Sequence, residues 1–229
     1  MICNKRKPPS YQLDGIKNKK GVILLSFVIG CVTSNAVIIA SDGRCCNLDG
    51  TVKTEHYNKT RKINSNTIIG YSGSTEACEF ALEQLDKVLK EQTSKRISDY
   101  YADEIAQILH DIIPIIGFDE GTKVLFIVGG ISHKNKTIMY SFGNTNQRDL
   151  IPYLPGDGLA YSTLSPPQRD GDQIVYRNIT NGQFRHGTTM DALTASIHEM
   201  AELDSSVNKQ TYFQIITRTP SVTEVNPQL

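Results

Sequence analysis

Four short stretches of the sequence carry groups that could do chemistry together. The segment SDGR, 41–44, follows an apolar run, Lys59 opens the segment KTRKI, and the turn YSGS, 71–74, follows a strand-like run. Asp204 lies eleven residues after Leu193, which is three helical turns and predicts an acid on a core-facing stripe. Such an acid needs a partner, and the N–H groups of a strand-to-helix turn can bind an anion. Residue types alone leave open a surface ion pair at 41–44 and a solvated Lys59.

The composition excludes several classes of protein. Among 229 residues, 24 Lys and Arg balance 24 Asp and Glu, so no basic excess predicts a nucleic-acid partner. The apolar content of 39% is enough for a core without disulfides or metal. The five cysteines are odd in number and form no C-x-x-C, and the histidines are scattered. We therefore expect no disulfide framework, no metal site, no cofactor and a reducing, cytoplasmic location.

The beginning of the sequence has three interpretations. Residues 1–20 are polar and basic, and the run VILLSFVIGCV, 22–32, is apolar but too short to span a bilayer. It is compatible with a signal-peptide core, and VIGC at its end resembles a lipoprotein cleavage box with Cys31 as the modified residue. The sequence favours a buried hairpin instead, with 26–32 against 36–41, because a polar turn and a second apolar strand follow.

The remaining periodicity predicts hairpins and paired helices. Predicted helices cover about 75–91, 98–113 and 188–203, and predicted strands cover 67–72, 123–131, 137–143 and 211–217. The stretch 144–187 is predicted to be irregular, with a short helix near 158–165. This order lacks the strict alternation of a parallel sheet. It predicts an α+β domain: a four-layer αββα sandwich of two antiparallel sheets between helix pairs.

The same order and spacing resemble a 20S proteasome β-type subunit, an N-terminal-nucleophile hydrolase. The resemblance covers about 26–217 and rests on SFVIGCVTSNAVIIASDGR, on KTRKI followed by TIIGYSG, on the helix pair, on LFIVGGI, on GDG at 156–158 and on Asp204. It implies an extension or propeptide at 1–25, the catalytic domain at 26–218 and a tail at 219–229. It also implies a homo-oligomeric ring, peptide or unfolded-protein substrates, and no membrane.

The resemblance also implies the roles of individual residues. Ser26 falls on the nucleophile, whose free α-amine serves as the base after Leu25–Ser26 is cleaved. The supporting residues are Asp42, Lys59, Gly73, whose N–H forms the oxyanion hole, and Asp204. The implied wall of the substrate pocket comprises Cys45, Tyr57, Arg61, Tyr71 and Thr75.

The sequence departs from the family pattern at four positions. Leu25 stands where precursors carry glycine, Asp157 and Val207 stand where the family has serines, and Asn208 replaces a glycine. The losses at 157 and 207 predict weaker hydrogen bonding around the α-amine. Three functions therefore stay open. The chain is a serine-dependent peptidase formed by self-cleavage, an unprocessed, non-catalytic subunit of a ring, or an exported lipoprotein.

Overall fold

The chain folds into antiparallel sheets and four α-helices, as a computed structural model of residues 26–47, 49–92, 94–144, 150–156, 158–180 and 188–219 shows. The predictions for 1–25, for Asp157 and for 220–229 lie outside these residues. The helices are α1 (Thr75–Glu91), α2 (Ala102–Ile116), α3 (Gly171–Thr180) and α4 (Thr189–Leu203). The strands are β1 (Val28–Thr33), β2 (Ala36–Asp42), β3 (Cys45–Cys46), β4 (Val52–Thr54), β5 (Thr60–Lys62), β6 (Thr67–Gly73), β7 (Val124–Ile131), β8 (Thr137–Gly143), β9 (Pro152–Tyr153), β10 (Leu159–Leu164) and β11 (Thr211–Thr217).

The two main sheets are antiparallel throughout. One has the order β10-β1-β2-β11 and the other β5-β6-β7-β8-β9, while β3 and β4 form a separate hairpin. In the first sheet Val28 of β1 lies opposite both Ser41 of β2 and Leu164 of β10. The predicted α+β class with antiparallel sheets and the predicted first hairpin are both confirmed.

Three apolar clusters hold these elements together. One joins the facing sides of the two sheets and includes Val28, Ile39, Ile68 and Ile127. A second packs α1 and α2 on the β6–β8 side, and a third packs α3 and α4 on β1 and β2. Strands β1, β2 and β6, which carry the predicted site, contribute to clusters on both of their faces, so burial on both faces fixes their positions.

The structure corrects the prediction for 144–187. The segment predicted as a short helix near 158–165 contains strand β10, because its residues complete the free edge of β1 through six paired positions. Helix α3 was not predicted. It buries Ile174 and Val175, and the Asp170 side chain accepts a hydrogen bond from the N–H of Gln173 at 3.0 Å.

The second predicted helix also differs in its bounds. A 3-10 turn occupies Ile97–Asp99, and α2 then continues past Pro114 to Ile116, where Gly117 ends it with a φ of 65°. No helix among the described residues is long and apolar enough to cross a membrane.

Candidate active site

Asp42 and Lys59 are the two charged side chains that are buried in the part of the chain the structure describes. Their side chains are 0% and 3% exposed, and Lys59 Nζ donates to Asp42 Oδ1 at 2.9 Å. The same ammonium donates to the carbonyl oxygens of Asp42, at 3.3 Å, and Arg44. These three acceptors match its three protons. Lys59 is therefore a fixed cation and not the solvated lysine that its basic neighbours also allowed.

The end of β2 positions the carboxylate of the ion pair. Asp42 is the last residue of β2, and its Oδ2 accepts the N–H of Arg44 at 2.8 Å, which closes the SDGR turn. Lys59 precedes β5, and its own carbonyl accepts the N–H of Tyr71 at 3.1 Å. Burial raises the pKa of Asp42 above its ordinary value, and Lys59 and the N–H groups of Arg44 and Phe27 offset part of this rise. The ammonium thus lowers the cost of burying the carboxylate.

Ser26 lies directly beside the buried pair. Asp42 Oδ1 also accepts the N–H of Phe27 at 3.0 Å, and the Phe27 carbonyl accepts the N–H of Asp42 at 3.1 Å. Ser26, which is partly exposed, has its carbonyl oxygen hydrogen-bonded by Ser72 Oγ at 3.2 Å. The residue proposed from the resemblance as the nucleophile is therefore placed between the ends of β2 and β6.

Gly73 ends β6 in a conformation that favours glycine. Its φ is +118°, and a Cβ there would lie 2.2 Å from the carbonyl oxygen of Lys123. Ser74 N donates to that oxygen at 2.8 Å, which makes Ser74 and Lys123 a hydrogen-bonded pair. Because such pairs alternate along antiparallel strands, the Gly73 N–H points away from β7, to the side on which Tyr71 N bonds Lys59. The N–H thus faces the site.

Asp204 is placed differently from the prediction. It caps the C-terminus of α4 with an extended backbone, so it is outside the helical stripe of Leu193. Its Oδ1 accepts the N–H and the hydroxyl of Ser206 at 2.9 and 2.7 Å, and Arg169 Nε lies 3.8 Å from Oδ2. Arg169 and Ser206 are therefore the partners that the sequence required for this acid but did not name.

The segment after Asp204 is attached to the SDGR turn. Asn208 Oδ1 accepts the N–H of Gly43 at 2.8 Å, and Asn208 Nδ2 donates to the carbonyl of Glu55 at 2.9 Å. Arg44 pairs with Glu55 at 2.8 Å and also donates to the Ser205 carbonyl. Hydrogen bonds from Arg44 and Asn208 lower the pKa of Glu55. Through these contacts the late segment is held beside the turn that contains Asp42.

The predicted substrate-binding residues form two contacts next to the first turns of α1. Cys45 Sγ lies 3.4 Å from Thr75 Oγ1, and the hydroxyls of Tyr57 and Tyr71 are 3.1 Å apart. Burial raises the pKa of both phenols, so they stay protonated and polar. Arg61 instead pairs with a carboxylate of α1 at 2.6 Å. Four of the five predicted residues thus come together in pairs, and Arg61 is tied to the helix.

No cluster of three or more His, Cys, Asp or Glu side chains suited to a metal ion occurs within the described ranges.

Three solved structures serve as examples of proteins that share this fold. HslV from Trypanosoma brucei superimposes with a TM-score of 0.57 at 14% identity, covering 83% of this chain and 99% of that one. The Gly-1 mutant of Anbu from Hyphomicrobium sp. strain MC1 gives 0.67 at 14% identity, covering 84% and 82%. Anbu, an ancestral beta-subunit, from Yersinia bercovieri gives 0.64 at 13% identity, covering 83% and 80%.

The fold is that of the proteasome β-type N-terminal-nucleophile proteins. No protein-family model matches the sequence, and no curated protein sequence matches it. The proteasome-type fold was therefore recognisable from a few spaced motifs, while overall identity to these solved structures is only 13–14%.

Sequence reasoning missed several residues of this candidate site. Val207, predicted as the loss of a serine, is buried in the apolar cluster under α3 and α4, and Ser206 supplies a hydroxyl to Asp204 in its place. Asn208, predicted as the loss of a glycine, adds hydrogen bonds to the SDGR turn. Ser72 was seen only as part of a glycine turn. Ser72 and Ser206 share one signal, a serine within two residues of a predicted site residue, and Asn208 has no such signal.

Proposed function

We propose that the chain is a proteasome-β-like peptidase that uses the hydroxyl of Ser26 after self-cleavage of Leu25–Ser26. The observation that carries this proposal is the fully buried Asp42–Lys59 ion pair, whose carboxylate binds the peptide N–H directly after Ser26. A buried ion pair costs desolvation and is weak evidence of a purely stabilising role. Its position beside a hydroxyl nucleophile, in this fold, supports a catalytic one.

The proposed reaction uses the Ser26 hydroxyl, its α-amine and the cation of Lys59. In self-cleavage the Ser26 hydroxyl attacks the carbonyl carbon of Leu25, the peptide bond becomes an ester, and water opens that ester. The freed α-amine, with an ordinary pKa of roughly 7.7–8.0, then acts as the base for attack on a substrate peptide. The cation of Lys59 favours the neutral form of a nearby amine. Asp42 holds this ammonium in place.

Charge on the tetrahedral intermediate would be stabilised by the N–H of Gly73. One such donor is typically worth about 3–4 kcal/mol of transition-state stabilisation. The direction of the Gly73 N–H, away from β7 and toward the Lys59 side of β6, supports this role. Asp204, held by Ser206, is proposed as the acid that orients the new α-amine, and the contacts Cys45–Thr75 and Tyr57–Tyr71 as parts of the substrate pocket wall.

The proposal extends to domain layout and assembly. The three apolar clusters support an αββα layer order. Separately, we propose residues 26–218 as the catalytic domain, residues 1–25 as an extension removed on activation, and residues 219–229 as a tail. A homo-oligomeric ring in the cytoplasm, acting on peptides or unfolded proteins, is the assembly that this fold supports. The chain has a formal net charge of zero, so no overall charge repulsion opposes its association.

The deciding experiment compares intact masses and peptidase activity of three proteins. Wild type is expected to lose residues 1–25 and to hydrolyse a fluorogenic peptide amide. Ser26→Ala removes the nucleophile, so it should remain full length and show only background hydrolysis. Ser26→Thr keeps a hydroxyl at the same carbon and should be processed and active, which makes it the matched control for side-chain replacement.

Two results would contradict the proposal. Wild type that retains Leu25 after assembly and long incubation is not a self-cleaving peptidase, and the chain would then be a non-catalytic subunit of the fold. Processing that proceeds equally in Ser26→Ala would assign the cleavage to another protease.

A further inference from the structure

The peptide group that joins Ser26 to Phe27 is held on both sides. Its N–H donates to Asp42 Oδ1 at 3.0 Å, and its carbonyl oxygen accepts from Ser72 Oγ at 3.2 Å. A peptide group is planar and rigid. Fixing both of its polar atoms therefore limits the orientation of the Ser26 Cα, which carries the nucleophilic side chain.

Ser72 is a firm anchor for this contact. It is 2% exposed and lies one position before the end of the β6–β7 pairing, opposite Leu125. Its own carbonyl accepts a hydrogen bond from the thiol of Cys78 on α1 at 3.6 Å. Burial raises the pKa of Cys78 to about 12, so that thiol keeps its proton and the contact is retained at neutral pH. The Ser72 hydroxyl thus projects from a strand held by both a neighbouring strand and a helix.

Ser72 also stands next to the proposed oxyanion donor. The carbonyl carbon of Ser72 is bonded to the nitrogen of Gly73, so the hydroxyl that holds Ser26 and the N–H of Gly73 are joined through a few covalent bonds. One hydrogen bond and a few covalent bonds of Ser72 therefore connect the main chain of Ser26 to the N–H of Gly73. Groups fixed on a rigid strand keep their separation better than groups on a loop.

We propose that Ser72 is a positioning residue, which sets the Ser26 hydroxyl against the Gly73 N–H by hydrogen-bonding the Ser26 carbonyl. The inference rests on the proposed peptidase function. Ser72 takes no part in bond making; it acts through the placement of Ser26. Its removal should therefore slow the chemical steps without weakening substrate binding.

The kinetic test uses full-length proteins carrying Ser72→Ala or Ser72→Thr. A misplacement of about 1 Å can cost about a hundredfold in rate, so Ser72→Ala should lower kcat and the self-cleavage rate by about tenfold to a hundredfold, with KM nearly unchanged. Ser72→Thr retains the hydroxyl and fits a strand, so it should recover most of the rate. Ser141→Ala makes the same change at a buried position of β8, and it should leave both rates unchanged.

An NMR measurement tests the hydrogen bond between Ser72 and the Ser26 carbonyl directly. The sequence contains two Ser-Phe pairs, at 26–27 and 141–142. Serine labelled at the carbonyl carbon, together with ¹⁵N-phenylalanine, therefore gives two correlated peptide signals in the folded chain. In Ser72→Ala the Ser26 carbonyl resonance should move upfield because it loses a hydrogen bond, while the signal from 141–142 stays in place as the internal reference.

The outcomes separate the inference from the proposed function. Wild type that is never processed overturns the proposed function and the kinetic role of Ser72 together. Processed, active wild type with an equally fast Ser72→Ala variant overturns the positioning role alone. An unmoved Ser26 carbonyl signal in Ser72→Ala also overturns it, even if the variant is slow. A slow Ser72→Ala variant with a shifted carbonyl signal, an unchanged KM and rescue by threonine supports it.

Discussion

Replacing Lys59 by methionine removes the cation from the buried pair and keeps most of the side-chain volume. Asp42, which is fully buried, then loses its ammonium partner at 2.9 Å and keeps only the N–H groups of Phe27 and Arg44. Removing one partner of a buried ion pair costs about 3–5 kcal/mol, because the other charge is left uncompensated. At about 2–4 °C per kcal/mol for a domain of this size, the melting temperature should fall by about 6–20 °C.

The matched control is Lys53→Met. Lys53 pairs with Glu76 at 3.1 Å, but the two side chains are 53% and 74% exposed. An exposed pair contributes little to stability because solvent screens it, so this variant should unfold close to wild type. Both variants are to be compared by thermal unfolding at one protein concentration, because assembly makes the melting temperature concentration-dependent.

The pH dependence of the stability loss in Lys59→Met provides a second test. Burial raises the pKa of Asp42 even in wild type, and the loss of Lys59 raises it further. A group with a raised folded pKa loses stability as the pH rises through that pKa. The deficit of Lys59→Met should therefore be smaller in mildly acidic solution than at neutral pH. Adding Asp42→Asn to Lys59→Met should also recover part of the loss, since the buried charge is then gone.

A melting temperature for Lys59→Met as close to wild type as that of Lys53→Met would refute this reasoning. It would mean that the Asp42–Lys59 pair is hydrated in solution. The argument from a buried ion pair to a catalytic site would fail with it.

Three further outcomes are expected. Gly73→Ala forces a Cβ against backbone at a positive φ and should lower stability by several kcal/mol, whereas Gly158→Ala, which meets nothing within 4 Å, should be nearly neutral in thermal unfolding. Asn208→Ala removes two partly buried hydrogen bonds to the neighbouring turn and should cost about 1–3 kcal/mol in denaturant unfolding. An unchanged midpoint would show that water replaces them. Sedimentation of wild type should give a mass well above the 25.4 kDa monomer, and a monomer at micromolar concentration across salt conditions would contradict the ring.

The sequence by itself determined the elements with strong local signals. The apolar run before a polar turn predicted the hairpin of β1 and β2, and apolar spacing of three and four residues predicted α1 and α4. The cap of α4 is local as well, because Thr188 and Asp191 form a capping box through hydrogen bonds of 3.3 and 2.7 Å. The types and spacing of Asp42 and Lys59 were enough to mark a candidate site.

Tertiary structure decided the elements and contacts whose causes lie far away in the chain. The stretch at β10 is a strand because it completes the edge of β1, more than a hundred residues earlier, and no local pattern records that pairing. Ser72 reaches Ser26 across 46 residues, and Asn208 reaches Gly43 across 165. A hydroxyl or an amide has the same identity whether it faces solvent or a buried carbonyl. Ser72 and Asn208 belong to the candidate site only because the folded chain brings them next to Ser26 and Gly43.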